Sequence, residues 1–199
     1  MAYEALDIHD GAGGARRWLE AGRPTVPSLS VAGAAVPILH VSQIASALGL
    51  PAPPGLERAR LAWDLAGVLD AWVERLRGLD WELLTRPTQS RGRSLRNLTV
   101  NVFHPVELLP EVWVSGRFDW DPDGDRVREG ELSSAEDVVR YAEGIEAGWS
   151  SFLLELGDEI ERRDPRVASP RGEVTYTELL ASQVWHAGFH LREVEAFLR

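Results

Sequence analysis

The 199-residue sequence predicts an α+β protein in which a small mixed unit, residues 1–50, is joined by a proline-rich linker, residues 51–55, to a four-helix bundle over residues 56–199. Three observations predict it. The run Pro51-Ala-Pro-Pro54-Gly55 stops regular structure, because proline has no amide proton and fixes its own φ. Beyond this break, four long segments carry apolar residues at steps of three or four, the period of a helix with one buried face. No strand signal separates them, so the helices must cover one another.

Taken in order, Tyr3 to Ile8 alternates as a short strand and Gly14 to Ala21 suits a short helix. Ser28 to Val31 and Ala35 to Leu39 read as a hairpin turning at Ala32-Gly33. A helix from Val41 to Leu48 follows, with His40 at its start, where capping or packing accounts for the imidazole. In the bundle, Leu61, Leu65, Val68, Trp72 and Leu76 form the stripe of the first helix. Ser94 caps a second, which runs toward Leu109 and bends at Pro105. Ser134 caps a third, in which Val138, Tyr141, Ile145, Trp149, Phe152, Leu156 and Ile160 keep the same spacing. Thr175 or Tyr176 opens the fourth, which reaches Arg199. The connections from about Glu111 to Ser133 and Asp164 to Thr175 are long, so simple up-down hairpins are not assured. Within the first of them, Asp119-Trp-Asp121-Pro-Asp123-Gly-Asp125 echoes an EF-hand loop. Its twelfth position is Gly130 instead of a bidentate glutamate, and no helix is expected to begin at Arg126; it reads as a solvated acidic turn.

A net charge of -10 with no basic block argues against nucleic acid as a partner, since a phosphate backbone needs clustered cations. No apolar run approaches the roughly 18 residues that span a bilayer, and the start, Met1-Ala-Tyr-Glu, lacks the regions of a signal peptide. A cytoplasmic protein without membrane contact is expected. There is no cysteine, which removes disulfides, a protein thiol nucleophile and thiolate ligands together. All 21 cationic residues are arginine, the usage of a GC-rich genome.

The chemistry-bearing residues are three histidines. His186 and His190 stand one turn apart on the fourth helix, so both imidazoles share a face about 5 to 6 Å apart and can reach one metal ion. Gln183 lies on the same arc. On the second helix Asn97, Asn101 and His104 share an arc as well. Polar groups facing a bundle core are costly unless they hydrogen-bond or coordinate something. Two readings stand side by side: three separate histidines satisfied by backbone or water, or one site.

The segments Arg93-Ser-Leu-Arg-Asn-Leu-Thr-Val-Asn-Val-Phe-His104 and Leu179-Leu-Ala-Ser-Gln-Val-Trp-His186-Ala-Gly-Phe-His190 resemble the DinB/YfiT-like superfamily of metal-binding four-helix bundles. The resemblance covers residues 56 to 199 and implies a divalent metal, zinc foremost, held by His104, His186 and His190. Members similar to this arrangement include thiol-dependent S-transferases and mycothiol-dependent maleylpyruvate isomerase. Three neutral imidazoles would leave a zinc ion an open position at which it lowers the pKa of a bound water or thiol. Arg93, Asn97, Asn101, Gln183 and Trp185 are then expected to contact substrate, with Arg91 and Arg96 also available to carboxylates; the amides could equally cap buried backbone.

The stretch Thr25-Val26-Pro27 with the following hairpin and helix resembles the second half of a glutaredoxin, without the half that carries the C-x-x-C. The resemblance implies that Thr25, Val26 and Pro27 hold a low-molecular-weight thiol, and that a second chain, in a homodimer, could complete the sheet. The expected function is a metal-dependent transferase or isomerase that presents a mycothiol-like thiol as metal-bound thiolate to a small electrophile. Two alternatives stand beside it: a metal-dependent hydrolase using bound water, and a non-catalytic metal-binding stress or dimerisation module.

Overall fold

The computed structural model describes residues 13–20, 28–31, 34–51, 55–88 and 92–199. The chain divides into two compact units, Met1–Pro54 and Gly55–Arg199. In the first, helix α1 (Gly14–Glu20) precedes an antiparallel hairpin of β1 (Ser28–Val31) and β2 (Ala34–Pro37), with Ser28 opposite Pro37 and Val31 opposite Ala34. Helix α2 (Val41–Ala47) follows, and His40 caps it. The ring accepts the Ser42 N–H at 3.2 Å, while Gln43 Oε1 accepts the N–H groups of Leu39 and His40 at 2.6 and 3.1 Å. Backbone donors that a helix start leaves unpaired are thereby satisfied.

The glutaredoxin-like expectation is corrected here. The described residues of this unit make a two-stranded hairpin and two short helices, not a thioredoxin-like sheet. The expected strand at Tyr3 to Ile8 and the expected thiol loop at Thr25, Val26 and Pro27 lie outside the described residues.

The described residues of the second unit form α3 (Arg58–Leu76), α4 (Trp81–Thr85), α5 (Leu95–Glu107), α6 (Leu109–Ser115), α7 (Pro122–Glu131), α8 (Ala135–Leu156), α9 (Glu159–Arg162) and α10 (Tyr176–Phe197). Between α9 and α10 lies an antiparallel hairpin, β3 (Arg166–Ser169) and β4 (Gly172–Thr175). The expected four-helix bundle is thus corrected to an α+β unit of eight helices and a small sheet among the described residues. The connections contain structure of their own. Asp121 accepts the Asp123 N–H and Pro122 supplies a preset φ at the first helical position, so α7 begins where an acidic turn was expected. Val167 faces Val174 across the hairpin and both are buried, which gives the small sheet an apolar side.

The segment after α6 joins that sheet. Ala168 donates to Gly116 O at 2.9 Å and accepts from the Phe118 N–H at 2.8 Å. Gly116 ends α6 with a φ of 69°, and an added Cβ there would stand 2.9 Å from the Arg166 carbonyl oxygen, so both conformation and space favour glycine.

The core is built on α3, whose Ala62, Leu65, Leu69, Trp72 and Leu76 are buried, with Leu61 and Val68 at the stripe's half-buried edges. The two most deeply buried indoles find acceptors. Trp72 Nε1 donates to Ala187 O at 3.0 Å, joining α3 to α10, and Trp149 Nε1 donates to Ala62 O at 3.1 Å, joining α8 to α3. Such rings combine a large apolar area with one polar atom that must be paired. Tyr176, fully buried at the start of α10, donates to Leu109 O at 3.1 Å. Arg58 donates to the carbonyls of Ile160 and Glu161 and pairs with Asp164, which satisfies the end of α9.

Candidate functional site

The two polar arcs meet in one hydrogen-bonded cluster, and the residue that organises it is Asp125 of α7. Its Oδ1 accepts from His104 Nδ1 at 2.7 Å and from Trp120 Nε1 at 3.0 Å; its Oδ2 accepts from Asn101 Nδ2 at 3.1 Å. Asp125 and His104 are both buried. An ionised carboxylate only accepts, so His104 carries its proton on Nδ1 and Asn101 turns its amide nitrogen toward Asp125. That orientation decides the next contact. Asn101 Oδ1 faces Arg93, which donates to it at 3.2 Å, and His186 Nε2, also at 3.2 Å, so His186 is the Nε2–H tautomer.

Packing supports the arrangement. Gly124 of α7 lies against the His104 ring, and a Cβ there would meet Cε1 at 2.9 Å. On α10 the rings of His186 and His190 stand 4.8 Å apart and nearly perpendicular, and His190 Nδ1 lies 2.5 Å from Glu193 Oε2. Burial, then the neighbouring His190, Arg93 and Arg171, lower the His186 pKa to about 3, with Asp125 opposing them, so this imidazole is neutral at physiological pH. Arg171, in the β3–β4 turn, places its guanidinium 5.6 Å from the centre of the Trp120 ring, and burial lowers its pKa. Gln183, buried on the same arc of α10, has an Oε1 with no hydrogen-bond partner.

This geometry overturns the metal site expected at His104, His186 and His190. The three imidazoles turn ring nitrogens toward three different partners, Asp125, Asn101 and Glu193. Among the described residues no group of three or more His, Asp or Glu side chains is placed to hold a metal ion. Helical spacing put His186 and His190 on one face, but a shared face does not make nitrogens converge. With the site go the zinc cofactor, the thiolate chemistry and the metal-bound water, and with them the expected transferase, isomerase and hydrolase and the metal-binding stress or dimerisation module.

Other expected contacts are distributed differently. Asn97 donates to Glu129 Oε2 at 2.7 Å, and Arg96 binds the same carboxylate at 3.1 Å and the Leu132 carbonyl at 3.2 Å, so both fasten the end of α7 to α5. Trp185, expected as a pocket wall, is 68% exposed and stacks on Phe189. Arg91 lies outside the described residues. Sequence reasoning missed Asp125, Trp120 and Arg171. The Asp121-Pro122 helix start was the one local signal that could have brought Asp125 onto a helix; its pairing with His104 across 21 residues had none.

No helix among the described residues is long and apolar enough to cross a membrane. Compared with protein-family models, curated proteins and solved structures, the chain matches none, and with no metal-holding group among the described residues the expected DinB/YfiT-like and glutaredoxin-like assignments are withdrawn.

Proposed function

We propose that the Gly55–Arg199 unit is a binding domain for a small organic acid that also carries a hydroxyl or amino donor. The observation that carries this reading is the buried Gln183 Oε1 without a partner, on the same face of α10 as His186. A buried acceptor without a donor costs about 1–3 kcal/mol, a cost that a ligand hydroxyl or amine would relieve. The charge of the ligand follows from the neighbours. Arg93 and Arg171 both act on His186 as cations, whereas both oxygens of Asp125 are already occupied by donors. The potential there favours a carboxylate. Arg93, Asn101 and His186 are only partly buried, which leaves the cluster a way to solvent.

The reading is one of recognition, in which these groups supply hydrogen bonds and positive charge to the ligand. A thermal-shift panel of small hydroxy acids and amino acids, run with a chelator, tests it. An acid of the right shape raises Tm progressively with concentration, by about 2.7 kcal/mol of stabilisation at a hundred times Kd, and Arg93→Gln or Gln183→Leu removes the effect. The absence of any shift at millimolar concentrations across the panel, or an equal shift in both variants, contradicts it.

A further inference from the structure

A concavity of about 580 Å³ lies where α5, α6, α7 and α8 meet, and none of the residues of the polar cluster lines it. Its apolar walls include Val106, Pro110, Leu132, Ile145 and Trp149, and the volume suits a small molecule. Three features identify what it would take. The hydroxyl oxygen of Tyr141, one of its lining residues, is buried without a hydrogen-bond partner. Burial, reinforced by the Glu107 carboxylate, raises the phenol's pKa, so the hydroxyl keeps its proton and is available as a donor.

Both guanidiniums at the rim are already paired with carboxylates. Arg128 contacts Glu107 at 2.9 Å and Glu131 at 3.6 Å, and Arg140 contacts Asp137 at 3.3 Å and Glu136 at 2.5 Å. With both guanidiniums held and the lining carboxylates outnumbering them three to two, an anionic ligand would find no complementary partner, and the Tyr141 hydroxyl selects a neutral acceptor. Finally, Gly144 and Gly148 stand one turn apart on α8, and an added Cβ at either meets nothing within 4 Å. Glycine is a poor helix former, and here it leaves α8 bare over the cavity, where a flat ring can approach the backbone between Tyr141 and Trp149.

We propose that this groove is a binding site for a neutral, ring-bearing small molecule whose carbonyl or ether oxygen accepts the Tyr141 hydroxyl proton. The site is independent of the organic-acid site and stands or falls without it.

Fluorescence titration of the full chain with prodan, a neutral naphthyl ketone, tests the assignment. The expected result is saturable one-to-one binding, weakened about tenfold by Tyr141→Phe, the equivalent of one lost hydrogen bond. Gly144→Leu and Gly148→Leu fill the space from opposite ends of the groove floor and weaken binding by more than about tenfold while leaving Tm near that of the wild type. Should one glycine variant fail to fold, the other decides. The proposal is overturned by an absence of saturable binding to the wild type, by unchanged affinity in a folded glycine variant, or by unfolding of both variants, which would contradict the open space it depends on.

Discussion

Replacing Asp125 with asparagine should travel through the cluster and be read at His186, two contacts away. The carboxylate accepts three N–H groups, from His104, Trp120 and Asn101, at 2.7, 3.0 and 3.1 Å. Hydrogen bonds to a charged acceptor contribute roughly 1 kcal/mol more than neutral ones, and relief of the buried charge offsets part of the loss, which leaves Asp125→Asn destabilised by about 2–3 kcal/mol. For a domain of this size that lowers Tm by about 5–10 °C. The rearrangement is specific. If the new amide keeps its oxygen toward His104 and Trp120, its nitrogen meets Asn101 Nδ2, and Asn101 must turn over. The Asn101 nitrogen then faces both His186 and Arg93: the His186 proton moves from Nε2 to Nδ1 so that two donors do not oppose each other there, and the donor-only Arg93 guanidinium gives up its bond to Asn101. Thermal unfolding measures the first effect and nitrogen NMR of the imidazoles the second. An unchanged Tm together with a retained Nε2–H tautomer at His186 would refute the reasoning.

Three further perturbations have defined outcomes. Gln183→Leu removes the unpaired buried oxygen and should stabilise the ligand-free unit by about 1 kcal/mol in a urea titration; destabilisation would mean that Oε1 has a partner after all. Because the His186 pKa falls to about 3 on folding, the unfolded chain takes up this proton first. That contribution to stability is therefore complete above about pH 6.5 and declines by at most about 1.4 kcal/mol per pH unit until about pH 3; His186→Gln should flatten this part of the pH–stability curve. Gly116→Ala places a Cβ 2.9 Å from the Arg166 carbonyl oxygen at a φ of 69°, and should cost about 1–3 kcal/mol by thermal denaturation, against near-neutrality if the turn relaxes freely.

Where a helix had both a cap and an apolar period, its sequence was sufficient: Ser94, Ser134 and Thr175 accept the N–H groups of Asn97, Asp137 and Glu178 at the starts of α5, α8 and α10. Helix α7 had a cap but no period, because its ten residues, Pro122–Glu131, contain one large apolar side chain, Val127, and that side chain is exposed. The β3–β4 hairpin is short, four residues a strand, and Val167 and Val174 alone face its core, too little alternation to register as a strand signal.

The site divides along the same line. Helical spacing places Asn101 with His104 and Gln183 with His186, because face membership follows from 3.6 residues per turn. What His104 and His186 face is decided by contacts between residues 21 and 85 positions apart, which no local pattern encodes, while the Glu193 partner of His190 is only three residues away on the same helix. The metal expectation failed at that step: an arc of imidazoles was read as convergence, whereas a carboxylate, an amide and a glutamate each claim one ring.

The most direct test of the account is a titration of isotope-labelled protein with a small hydroxy acid that scores in the thermal-shift panel, following the imidazole resonances of His104, His186 and His190. The account predicts a saturable change at His186, which faces Asn101 and Arg93, and its loss in Gln183→Leu. A His186 signal that stays fixed while the acid binds would place the ligand elsewhere and contradict the assignment of the polar cluster as the binding site.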